Sequence, residues 1–124
     1  MSKKTLSSRE RLKKNDDIRR VFDEGVLLKG RLVSVFIRQE TNAHTNRAAF
    51  IIKKTLYSKK TVLRNRFRRI IREAYRDSKS LLLPCCDIII LANRLDIKTK
   101  STEVAQELKY AFKKYTEKRD NLLS

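Results

Sequence analysis

Between residues 60 and 77, apolar side chains return at Leu63, Phe67, Ile70, Ile71 and Ala74. At about 100° per residue this spacing gathers them on one side of a helix. Such a helix has to lie on an apolar layer, and the sequence offers one. Residues 87–92 read Asp-Ile-Ile-Ile-Leu-Ala, a run without alternation that suits a strand covered on both faces. Two further stretches look like strands. In 32–38 the period is two, with Val33, Val35 and Ile37 on one side and Leu32, Ser34, Phe36 and Arg38 on the other. Residues 48–53 carry Phe50, Ile51 and Ile52, and the polar stretch 39–46 between the two suggests an antiparallel hairpin with a long loop.

Helices are predicted on either side. Asn15-Asp16-Asp17 reads as a cap followed by first-turn acids, with Ile18, Val21 and Phe22 at helical spacing and Gly25 as the stop, giving a helix over 16–24. A last helix over 102–118 carries Val104, Leu108, Ala111, Phe112 and Tyr115 on one face, with Glu103 in its first turn. The predicted order is α-β-β-α-β-α. This is an α+β class, single-domain α/β sandwich: one small sheet with packed helices. The 124 residues suffice for one such core. The domain is expected over 15–118, preceded by a flexible basic arm at 1–14 and followed by a tail at 119–124. Pro84 breaks the connector before the last strand.

Charge narrows the function. Lys plus Arg number 31 against 14 Asp plus Glu, a formal net charge of +17, and such an excess favours binding a polyanion, which releases condensed counterions when its phosphates are neutralised. A membrane-spanning role is disfavoured, because the apolar run 88–92 is far short of the ~20 residues required. Cys85 and Cys86 are adjacent, neighbours in sequence rarely form a disulfide and no other Cys is present, so a reducing, cytoplasmic setting is expected. The one His, His44, reads as a loop residue, and no His/Cys cluster suggests zinc. No His pairs with Cys or Ser, and no glycine-rich phosphate loop exists among 2 Gly, so catalysis by the protein itself is not expected. Asp16 and Asp17 suit helix capping better than a metal pair.

The face of the 60–77 helix opposite its apolar side holds Asn65, Arg68, Arg69, Arg72 and Arg76, with Arg64 and Arg66 on the flanks. Glu73 is the one acid in 53–76. A merely solvated helix face usually mixes both signs for i,i+4 pairing. Guanidinium forks match phosphate oxygens and stack on bases, while the amide of Asn65 suits ribose hydroxyls, base edges or metal-bound water. The bland alternative is a solubilising surface.

The run Arg64-Asn65-Arg66-Phe67-Arg68-Arg69-Ile70-Ile71-Arg72 resembles the signature of the bacterial ribonuclease P protein subunit: Arg-Asn-Arg, one residue, two basic, two apolar, then Arg. Arg11-Leu12-Lys13-Lys14-Asn15, Val21-Phe22 and Gly25 are similar to that family's N-terminal helix and following turn. Ile18 stands where the family often has an aromatic residue, while Phe22 and Phe36 occupy matching positions. Lys53, Lys54, Lys59 and Lys60 fall near the family's lysine-rich loop before the signature, which here lacks a glycine.

The resemblance implies a ribosomal-protein-S5-domain-2-like fold with a left-handed crossover between parallel strands. It implies a role as the RNA-binding subunit of a ribonucleoprotein that removes the 5′ leader from precursor tRNA, with the chemistry carried by the RNA subunit. The implied partners are ribonuclease P RNA, one protein per RNA subunit, and precursor tRNA. The implied cofactor is Mg2+, held mainly by RNA, with Asn65 a candidate contributor. The stripe would bind RNA together with the four lysines, and Ile18, Phe22 and Phe36 would form a cleft for the leader. Ordinary core packing is the alternative for the two rings. A ribosomal protein, a DNA-binding protein and an independent enzyme are the competing classes.

Overall fold

The computed structural model describes residues 10–39, 45–57, 60–82 and 85–123; for Lys54, Tyr57 and 119–123 it describes the backbone alone. The elements are α1 (Asn15–Glu24), β1 (Val26–Lys29), β2 (Val33–Gln39), β3 (Arg47–Ile52), the one-turn α2 (Lys54–Tyr57), α3 (Thr61–Ser78), β4 (Cys86–Ala92) and α4 (Ser101–Leu123). His44, Lys59 and Pro84 lie outside the described residues, as do 1–9 of the expected arm and residue 124 of the expected tail.

One sheet runs β1-β2-β4-β3, with β1/β2 and β2/β4 antiparallel and β3/β4 parallel. The α+β class holds, and three of the expectations need correction. The strand β1 was not foreseen: Val26-Leu27-Leu28-Lys29 is too short to show a period, and its pairing Leu27↔Phe36 supplies its definition. Strands β2 and β3 do not form a hairpin. β4 sits between them because it is apolar at consecutive positions and needs both faces covered, with Ile88, Ile89 and Ile90 all at 0% exposure. A parallel β3/β4 pair then requires a long crossover, which α3 provides.

The third correction concerns the chain ends. Asn15 is helical rather than a cap, and the capping position, Lys14, makes no side-chain cap bond. Leu12, within the expected arm, is buried, and its N–H donates to the carbonyl of Ala48 at 2.9 Å. This covers part of the free edge of β3, which would otherwise present unpaired backbone groups. At the other end α4 continues to Leu123, beyond the expected stop at 118.

The alternation of β2 and β4 divides the interior into two layers. Val33, Val35, Ile37, Ile88 and Ile90 face α3 and α4, meeting Phe67, Ile71, Ala74, Tyr75, Leu108 and Phe112. Ile89 points the other way and packs with Leu12 and Val21, bordered by Ile18, Phe36, Ala49 and Ile51. Gly25 ends α1 with φ −76°, not in a left-handed conformation. It is required for a close approach, since a Cβ there would lie 2.4 Å from the Val21 carbonyl oxygen and 3.1 Å from that of Ile37.

Glu107 of α4 fastens the β1–β2 turn. Its carboxylate accepts the backbone N–H of Leu32 at 3.0 Å and of Val33 at 3.3 Å, and a Cβ on Gly30 would collide with it at 2.5 Å. Glu107→Ala leaves those amides without an acceptor and should lower unfolding free energy by about 1–3 kcal/mol in urea titration. Glu107→Gln, which keeps one acceptor oxygen, should lose less. Equal stability of all three proteins would show that the turn is held by its strand pairing alone.

Candidate nucleic-acid interface

Phe67, Ile70, Ile71, Ala74 and Tyr75 are buried along α3, so the opposite face is turned to solvent. Arg64, Asn65, Arg66, Arg68 and Arg69 are exposed, and Arg72 and Arg76 are half-buried. Asn65, Arg68, Arg69, Arg72 and Arg76 line an open depression of about 490 Å³. Among the described residues none of the six arginines pairs with a carboxylate. Partial burial, reinforced by the neighbouring charges of Arg11, Arg68 and Arg76, holds the Arg72 guanidinium below its ordinary pKa. A bound anion would relieve that crowding.

Arg68 and Arg72 also border a second feature. Together with Arg11, Leu12, Lys13 and Ile18 they line a groove of about 380 Å³ whose floor is the β3 segment from Ala48 to Ile51. Arg11 and Lys13 were not among the predicted site residues. Their place follows from Leu12, which anchors the segment against β3 and could have been read as an apolar residue out of keeping with a basic arm.

Past Ile18, the α1 side of the sheet carries the aromatic pair. The rings of Phe22 and Phe36 meet edge to face, with centroids 4.8 Å apart and planes at 71°. Phe22 is 39% exposed and Phe36 half-buried, so neither ring is closed core. Phe36 continues into a basin of about 570 Å³ that it lines with Leu91, Lys29, Arg31, Lys53 and Arg94. Lys53 therefore belongs to this side of the sheet rather than to the α3 stripe. Lys29, Arg31 and Arg94 lie far apart in sequence and converge only through the β1-β2-β4-β3 order.

The remaining predicted residues are placed differently. Lys60 is exposed at the start of α3, where its carbonyl accepts the N–H groups of Leu63 and Arg64. Lys54 is in α2, without a described side chain, and Lys59 is outside the described residues. Arg66 turns away from the groove and donates from Nη2 to the carbonyl of Ile97 at 2.9 Å.

Ion pairs hold α1 over the sheet. Arg47 grips the buried carboxylate of Asp87 at two points, Nε to Oδ1 at 2.8 Å and Nη2 to Oδ2 at 2.7 Å, and reaches Asp17 at 3.4 Å. The hydrogen bonds from Arg47 to Asp87 outweigh its partial burial and hold the guanidinium above its ordinary pKa. At the other end of α1, Glu24 receives Arg38 at 3.1 Å. Asp17, read as a capping acid, is thus a tether between α1 and β3. Among the described residues no group of three or more His, Cys, Asp or Glu could hold a metal ion.

Because Phe22 is partly in solvent, Phe22→Ala should cost less than about 1.5 kcal/mol of unfolding free energy. Phe67→Ala, at 2% exposure, should cost about 3–5 kcal/mol. Chemical denaturation of both variants checks this; a Phe22→Ala loss as large as that of Phe67→Ala would make Phe22 a core residue.

The model of the family described as Ribonuclease P matches residues 6–116. The ribonuclease P protein component of Bacillus velezensis is 30% identical over 109 residues, covering 88% of this chain and 91% of that protein. That of Listeria monocytogenes is 29% identical over 109 residues, covering 87% and 89%. In three dimensions, the Staphylococcus aureus RNase P protein superposes with a TM-score of 0.70 at 28% identity, covering 84% of this chain and 93% of that one. The Thermotoga maritima RNase P protein gives a TM-score of 0.64 at 25% identity, covering 82% and 96%. The matched span contains α1, the whole sheet and the arginine helix α3, and the chain belongs to the family of ribonuclease P protein components.

Proposed function

We propose that this chain binds the RNA subunit of a bacterial ribonuclease P and the 5′ leader of precursor tRNA, assisting removal of that leader while the RNA carries out the hydrolysis. The observation that carries the proposal is the shared position of Arg68 and Arg72. They border both the unpaired arginine stripe of α3 and the groove over β3. A folded RNA on the stripe and a single strand in the groove would then meet at two guanidinium groups. Single-stranded RNA suits such a surface, because bases stack on open rings such as Phe22 and Phe36 while nearby cations follow the backbone.

The role of the protein is electrostatic and positional. Bringing a leader against a structured RNA concentrates phosphates, and the α3 arginines offset that repulsion without a competing carboxylate. Binding the leader raises substrate affinity, and by linkage raises the affinity of ions that prefer the assembled complex. Magnesium takes about six oxygen ligands, whereas Asn65 offers one amide oxygen and no acidic cluster stands near it among the described residues. Among the described residues the donors do not make a magnesium site, so in this proposal the ion is held by RNA phosphates, with Asn65 as a single contact. One protein per RNA subunit and a cytoplasmic location complete the reading; no described helix is long and apolar enough to cross a membrane.

The test is reconstitution with a bacterial ribonuclease P RNA at low magnesium, where RNA alone should cleave slowly. The protein should restore cleavage at the mature 5′ end. Arg68→Ala and Arg72→Ala should each weaken RNA binding and flatten its salt dependence by about one phosphate contact. Phe22→Ala should weaken binding of leader-bearing substrate more than binding of mature tRNA. Tight RNA binding with no gain in cleavage would instead favour a role in ribosome assembly.

A further inference from the structure

The segment joining β4 to α4 is anchored at several points. Leu95 is buried, and the N–H groups of Asn93 and Arg94 both donate to the carbonyl of Leu32, at 2.8 and 3.1 Å. Asp96 organises the tip. Its carboxylate accepts the N–H of Lys98 at 2.7 Å, and its own N–H donates to Oγ1 of Thr99 at 3.0 Å. Arg66 adds the bond from α3 to the Ile97 carbonyl.

This arrangement has an electrostatic consequence. The carboxylate of Asp96 is engaged inside the turn, while Lys98 and Lys100 are exposed and pair with no acid among the described residues. Lys98 directly follows the residue that Arg66 holds, so the clasp sets its charge beside the flank of α3. Arg66 and Arg68 leave the helix about 200° apart, so the segment sits on the opposite flank from the groove over β3. Ile97 at the tip is 62% exposed.

We propose that residues 96–100 are a second RNA-contacting element, that their partner is the phosphate backbone of the folded RNA subunit, and that Arg66 is the positioning residue that holds them beside α3. This rests on the reading that the chain binds ribonuclease P RNA. A single-stranded leader lying in the groove cannot also reach the far flank of α3, whereas a broad folded RNA can touch both. The isolated positive charges of Lys98 and Lys100 complement such a surface.

The experiment measures binding of the full-length protein to ribonuclease P RNA as a function of salt. Lys98→Ala combined with Lys100→Ala should weaken binding and flatten the slope of log K against log salt by about two. Neither side chain supports the fold, and an unchanged melting curve checks that. Arg66→Ala should then cost less affinity in the double-lysine variant than in the natural protein, because part of its effect is exerted through the segment. Wild-type affinity and slope in the double-lysine variant, with Arg68→Ala still flattening the slope, would overturn the second element alone. Equal costs of Arg66→Ala in both backgrounds would overturn its positioning role. Absence of binding by the natural protein would overturn both this inference and the function on which it rests.

Discussion

The arrangement of the molecule depends on burying β4 on both faces. Five consecutive apolar residues cannot sit at an edge, because one side of the sheet would then expose isoleucines to water at about 25 cal/mol for each Å². Placing β4 in the middle takes β2 and β3 to either side of it. The chain leaves β3 and must return parallel to it, and α3 is the segment that makes the return. The position of the arginine stripe is therefore a result of sheet order: the helix that carries it crosses from the β3 edge, where the groove lies.

Layering by α1 does the rest. The side of the sheet facing Ile89 is only partly covered, since α1 is ten residues long and pins itself through Val21. The ion pairs of Asp17 with Arg47 and of Glu24 with Arg38 fix both ends of the helix across β3 and β2. Arg47–Asp87 is costly to desolvate, and what it gives in return is geometry: two strands in fixed register and a guanidinium held in place for Asp17. With α1 held, Phe22 stands edge-on to Phe36 instead of closing over the sheet, and the surface beside the rings stays open.

Much of this was readable from residue pattern. The apolar face of α3, the double burial of β4 and the inward face of β2 follow from periods that local sequence displays. So does the arginine stripe, because a helix maps spacing directly onto direction. Pairing was not readable. Nothing near Val26 or Arg47 states which strand lies beside β4, and the hairpin expected between β2 and β3 failed because burial of a distant segment outweighed proximity in sequence. The same limit applies to the site. Arg68 and Arg72 were found as members of one helix face, whereas Arg11 reaches the sheet surface from the segment before α1, and Lys29, Arg31 and Arg94 from beside separate strand ends, so all four required the topology.

Residue type also concealed a division of labour. Arg47, Arg66 and Arg72 look alike in a basic sequence, yet each guanidinium meets a different environment. Arg47 spends its fork on a buried carboxylate and holds α1 in place. Arg66 spends one donor on a carbonyl and fixes the segment before α4. Arg72 has other arginines around it and among the described residues pairs with no acid, so its donors are left for an incoming anion. A charge of +17 is thus not a uniform coat. Part of it is consumed in building the scaffold, while among the described residues the α3 stripe gathers five side chains, Asn65, Arg68, Arg69, Arg72 and Arg76, on one helix face, where a phosphate backbone can approach without displacing an existing ion pair.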